Sequence, residues 1–378
     1  MHEIKQDSTF PFQYSSPEGI LFVSDTPTWN HEKLKALYQA FKPSIKGEER
    51  KALKRIVVTK ESVNMPLGAT IMRINLDPKT GKPINLLNDA EIVLFYGDQI
   101  TSIETINLTL SHEYGHLFTY YWMILKEQKF PDDQKTKWAS HRGIQQHPDV
   151  RWRNSALPNS HLWSPSEIMA DDFVILFGSP VGKSKLVRDP QDFYYNSTYV
   201  SLIENQSIPP VASLPNVQTY WESLAKLKPT LSSLLQPKMK SLGLSPTQDP
   251  YNPIYTFTFT PATTSPQRLS YLMAIGQQGG EHHFNLYQSP ISSSPVFTLP
   301  HQDIQPAFYG SKVFVKVYAL HPLSQKIVYS EAVWFDATNP FQPILLQESK
   351  KTVKPPVKRI SKKVASKLKK APIPPKKK

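Results

Sequence analysis

Apolar residues recur at helical spacing from Thr101 but alternate with polar ones from Tyr251, so no single kind of element can build this chain. Ile103, Ile106, Leu110, Leu117 and Tyr121 fall on one helical stripe and predict a long helix. Beyond Tyr251, Tyr255, Phe257 and Phe259 are separated by threonines. Similar runs at 269–275, 283–287, 296–299, 312–319 and 327–335 predict a sandwich of about six or seven short strands. Upstream of the long helix the pattern is mixed. Strands are expected at 20–23, 54–59, 69–76 and 91–96, with a helix over 31–41. A second helix is expected over 166–177, ending at Gly178, and two more over 217–227 and 231–242. The polar stretch 129–164, dotted with Trp, reads as an ordered loop with short helices. The expected organisation is an α+β domain over 1–248, an all-β sandwich of the immunoglobulin or fibronectin III kind over 249–340, and a tail over 341–378.

The sequence of 378 residues contains no cysteine, which removes disulfide scaffolds, zinc ribbons and thiol chemistry. Any metal site must use His, Asp or Glu. The net charge of +13 is not spread along the chain: residues 349–378 hold 12 Lys, one Arg and no acid. The remaining 348 residues carry 31 basic and 31 acidic side chains. With Pro355, Pro356, Pro372, Pro374 and Pro375 interrupting it, the tail is expected to be a disordered polycation. Anionic polymer or an anionic surface is its expected partner, ahead of nucleic acid. No apolar run approaches the length that spans a bilayer, and Met1 to Phe12 lacks the layout of a secretory leader.

Inside the long helix stands His112-Glu113-Tyr114-Gly115-His116. Histidines at i and i+4 lie one above the other, so two imidazoles can reach one ion while Glu113 projects beside them. This is a zinc-hydrolase arrangement, with Gly115 expected to keep the ion-facing helix thin. A third protein ligand is still needed, with one position left open. The segment Ser166-Glu167-Ile168-Met169-Ala170-Asp171-Asp172 offers Glu167 and Asp171 on one helical face. Glu167 is the expected third ligand, and Asp171 the carboxylate that accepts the second N–H of a ligand histidine. Asp172 competes for that role but is expected at the surface.

These two motifs, HExxH at His112–His116 and ExxxD at Glu167–Asp171, resemble those of the gluzincin metallopeptidases. The stretch 163–179 is also similar to a family of Gram-positive peptidases that carry an added sandwich domain. The metzincin pattern is not met, because Thr119 and Trp122 stand where it needs Gly and His. The resemblance implies a zincin-like fold over the first domain, Zn2+ as cofactor, peptide or protein substrates, and Glu113 as general base. It also implies an oxyanion-stabilising group, for which His141, Arg142, His161, Tyr194 and Tyr195 are candidates by position. The strand 92–96 would pair with an extended substrate if it formed the sheet edge beside the cleft. Trp122, Trp138, Trp152 and Trp163 are expected in the core, and the adjacent His282 and His283 face opposite ways in a strand. The competing function is a catalytically idle zincin fold that binds or adheres through its sandwich and tail. A secreted or wall-associated location is the favoured compartment, although no leader is seen.

Overall fold

The computed structural model describes residues 10–346 except 62, 155–160, 184–207, 229–233, 246, 248–250, 264–268, 278–286, 289–291, 302–311, 322–326, 337 and 340. The chain divides into two units, Met1–Leu345 and Leu346–Lys378. Of the second, including the basic tail, only Leu346 is among the described residues.

The N-terminal region is built on a five-stranded sheet. Its strands are β1 (Phe12–Ser15), β2 (Leu21–Ser24), β3 (Leu53–Val58), β4 (Gly68–Ile71) and, after the hairpin β5 (Ile74–Leu76) and β6 (Pro83–Leu86), β7 (Ala90–Leu94). The order is β1-β2-β3-β7-β4, with β2, β3 and β7 parallel and both outer strands antiparallel to their neighbours. Parallel strands need a crossover, and α1 (His31–Phe41) supplies it between β2 and β3. The Asn30 side chain caps this helix by accepting from the Lys33 N–H. Leu34, Leu37, Tyr38 and Phe41 turn into the core.

Helix α2 (Ile103–Glu127) is capped by Ser102, whose hydroxyl accepts from the Thr105 N–H. Apolar residues surround it over most of its length, and it runs through the core rather than along the surface. After α3 (Lys137–Arg142) comes α4 (Pro165–Phe177), with Pro165 at its first position and Gly178 at its end. Two helices follow, α5 (Pro180–Lys183) and α6 (Pro215–Leu224). Helices α2 and α4 touch at Gly115. A Cβ there would stand 2.9 Å from both the Cα and the carbonyl oxygen of Ala170. The glycine therefore sets how closely the two helices approach, a different role from thinning the helix on its ion-facing side. Gly115→Ala should lower the unfolding free energy in urea by about 1–3 kcal/mol, because backbone must move, despite the better helix propensity of alanine.

The C-terminal region is largely β. Strands β8 (Met239–Ser245), β9 (Ile254–Phe259) and β12 (Val296–Pro300) form one sheet, ordered β12-β9-β8. In the other, β13 (Lys312–Leu320) lies between β10 (Ser270–Gln277) and β15 (Val333–Asp336). Strands β11 (Tyr287–Gln288) and β14 (Ile327–Tyr329) extend it. Phe335 of the second sheet meets Tyr255 and Phe257 of the first, at ring-centroid distances of 6.3 and 5.5 Å.

Four sequence expectations change. Of the helix expected over 231–242, residues 231–233 lie outside the described residues, and from Met239 the chain is instead β8, because pairing with β9 overrides local preference. The single strand at 69–76 is two, β4 in the large sheet and β5 in its own hairpin. The run 327–335 is also two strands, broken at Ser330, whose hydroxyl accepts from the Val317 N–H. Finally, β7 lies between β3 and β4, so the edge strand is β4. Among the described residues, no helix is long and apolar enough to cross a membrane.

Candidate metal centre

The middle of α2 and the first turns of α4 bring His112, His116 and Glu167 together. One donor atom from each lies within 4.8 Å of the others. His112 Nε2 is 3.2 Å from Glu167 Oε2, and His116 Nε2 is 3.3 Å from the same oxygen. Donors held about 2.0–2.1 Å from a tetrahedral ion are separated by about 3.4 Å, so these spacings suit one cation shared by all three. The two imidazoles stand edge to face, with centroids 4.9 Å apart.

Asp171, one turn beyond Glu167, lies 3.0 Å from His112 Nδ1. A ring that donates its Nδ1 proton to this carboxylate keeps a lone pair on Nε2, aimed at Glu167. Two lone pairs that face each other need a cation between them, either a proton or a metal ion. The electrostatics agree. Burial opposes a charged His112, but hydrogen bonds to Asp171 and Glu167 and the charges of Asp171 and Glu113 raise its pKa to about 10. Burial also works against the Glu167 carboxylate, yet hydrogen bonds and charge from His112 and His116 hold it well below the usual carboxylate range. The donor set, two imidazoles and a carboxylate, suits zinc.

Glu113 lies beside this set. Its Oε2 is 2.8 Å from Thr70 Oγ1 on the edge strand β4. The centre opens into a cleft of about 600 Å³ between β4 and the α2–α4 pair. Pro66, Leu67, Ala69 and Met72 line one wall; Tyr120, His161 and Ser166 line another. No Lys or Arg is among the lining residues. The carboxylates of Glu113 and Glu167 therefore leave the cleft attractive to cations.

The candidates for an additional polar group separate clearly. His161 Nε2 is 3.2 Å from Glu167 Oε2, but the ring lies outside the group whose donors converge, and its side chain is 63% exposed. Arg142 is buried elsewhere: its Nε donates to both carboxylate oxygens of Asp172, at 3.1 and 3.2 Å. Asp172 is thus not a surface residue. It also accepts from the Trp138 indole, and burial lifts its pKa to about 6 against the pull of Arg142 and Trp138. Arg142 further donates to the Pro209 carbonyl, and Tyr329 of β14 donates to that of Ile208. His141 packs on Tyr220. Tyr194, Tyr195, His282 and His283 lie outside the described residues. Trp122 and Trp138 are core residues; Trp152 and Trp163 are half-buried.

Two cleft residues were not anticipated. Tyr120 stands four residues after His116, on the same helical face, so the i+4 spacing could have found it. Burial pushes its phenol up to about 12, keeping it a hydrogen-bond donor. Thr70 carries no such signal, because its role depends on β4 being the edge.

No protein-family model matches the chain, and no curated protein does. A solved structure of a DUF3823 family protein from Bacteroides ovatus is similar over 26% of this chain and 52% of that one, at 10% identity and a TM-score of 0.18. This chain thus matches about half of that structure's length, and a likeness so slight carries no argument.

Proposed function

We propose that the chain is a zinc-dependent metallopeptidase of gluzincin type, with a zincin-like catalytic part, an immunoglobulin- or fibronectin III-like sandwich and Zn2+ held by His112, His116 and Glu167. The supporting observation is the convergence of two imidazoles on one carboxylate oxygen, with Asp171 fixing the His112 ring. Zinc supplies Lewis acidity toward a carbonyl and toward water. Glu113 takes a proton from the attacking water and passes it to the leaving amine nitrogen. Its position between the metal set and β4 suits that transfer. His161 and Tyr120 face the cleft as donors to the oxygen that gains charge as the carbonyl is attacked. Among the described residues no strand pairs with the outer edge of β4, which can pair with an extended peptide. The basic tail is assigned to anionic polymer or surface rather than to the reaction.

The test is hydrolysis of an unfolded protein such as reduced casein. Cleavage should stop when zinc is stripped by 1,10-phenanthroline and return when zinc is restored after the chelator is removed. Unchanged cleavage by verified zinc-free protein would rule out the proposal; zinc binding without cleavage of a broad peptide library would favour the idle fold.

A further inference from the structure

Thr70 does more than line the cleft. Its Oγ1 stands 2.8 Å from Glu113 Oε2 and 2.8 Å from the Glu113 backbone carbonyl. On the other side, a Cβ at Gly68 would come within 2.7 Å of Glu113 Cγ and 2.8 Å of Oε1. The base is thus pressed under β4, with a bare backbone at 68 and a hydroxyl at 70 defining its place. A hydroxyl has one proton to give and two lone pairs with which to accept. Both acceptors lie on Glu113, so whichever the single Thr70 proton serves, the hydroxyl stays bound to that residue.

We infer that Thr70 is the positioning residue of Glu113, holding the base on the strand that would receive substrate. The Thr70 hydroxyl donates to Oε2, and the bare backbone of Gly68 leaves room for Cγ and Oε1, so the strand fixes where the Glu113 carboxylate stands. Because the holder and the substrate edge are one strand, a peptide aligned on β4 is aligned to the base as well.

This inference rests on Glu113 being the base, so the experiment includes Glu113→Gln. Thr70→Val keeps the shape and removes the hydroxyl; Thr70→Ser restores it. The full-length zinc-loaded variants are compared for kcat, KM, zinc affinity and affinity for a peptide hydroxamate, whose acidic proton the base accepts. For Thr70→Val, kcat should fall about 10- to 100-fold with KM and zinc affinity within about twofold, as expected when a reacting group is misplaced by a fraction of an ångström to 1 Å. Hydroxamate binding should weaken in parallel, and serine should recover most of both. A merely structural threonine would change the unfolding midpoint without this pattern. Val kcat and hydroxamate affinity both within twofold of wild type, or Ser behaving as Val, would overturn the inference. An active Glu113→Gln would instead remove the base assignment, and a wild-type zinc protein that neither binds hydroxamate nor cleaves peptide would remove both.

Discussion

Replacing Glu113 with glutamine should reduce kcat by about 10²- to 10⁴-fold while the protein keeps its zinc, the range associated with loss of a positioned general base. Glutamine has nearly the same shape, and its amide oxygen can still accept from Thr70, so the pocket under β4 stays filled. It cannot take a proton from water at neutral pH. His112, His116 and Glu167 are untouched, and the metal content should therefore stay within experimental error of wild type. The measurement is initial rates on a cleaved peptide beside metal analysis of the same sample. A variant retaining more than a tenth of wild-type kcat would remove Glu113 from the reaction.

Glu167→Ala is expected to act on the metal itself. It deletes the oxygen on which both histidine Nε2 atoms converge and leaves two lone pairs where three donors stood. Zinc affinity should fall by more than about 100-fold, beyond the 10- to 100-fold typical of a partner such as Asp171 that acts through a ligand. The wild-type site also has a characteristic pH behaviour. In zinc-stripped protein the folded His112 pKa is raised to about 10 from the ordinary 6.5. Its contribution to stability is then complete below pH 6.5 and is lost as pH rises through about 10. Zinc competes with that proton, so the added stability from zinc should grow over the same interval, with protons released on binding. Urea unfolding at pH 6.5 and 9 with and without zinc reads both trends. A zinc increment that shrinks with pH would contradict the assignment of His112.

Much of the site was legible because it is local. The i, i+4 pairs His112/His116 and Glu167/Asp171 are helical facts, and each sits on the helix that its spacing indicates. Their meeting depends on the α2–α4 contact, to which the sequence offered only Gly115 as a clue, and its side-chain-free face turns to Ala170 rather than toward the ion. Strand order was not legible. The pattern at 92–96 identifies a strand but cannot say which neighbours it takes, so β4, Gly68 and Thr70 were missed as the wall beside Glu113. Asp172 and Arg142 were misplaced for a related reason. Adjacent acids at a helix surface and adjacent acids against a buried guanidinium look alike until α3 is packed on α4. The helix expected over 231–242 missed a strand for the same reason, since Met239–Ser245 takes its conformation from pairing with the distant β9.

The claim beneath all of this is that two helices bring three donors onto one ion. Anomalous diffraction at the zinc edge, from crystals of the full chain grown with zinc, tests it most directly. One strong peak is expected, about 2.0–2.2 Å from a nitrogen of His112, a nitrogen of His116 and an oxygen of Glu167. No peak there from protein saturated with zinc, or a peak bound by other residues while these three remain hydrogen-bonded to one another, would contradict the account.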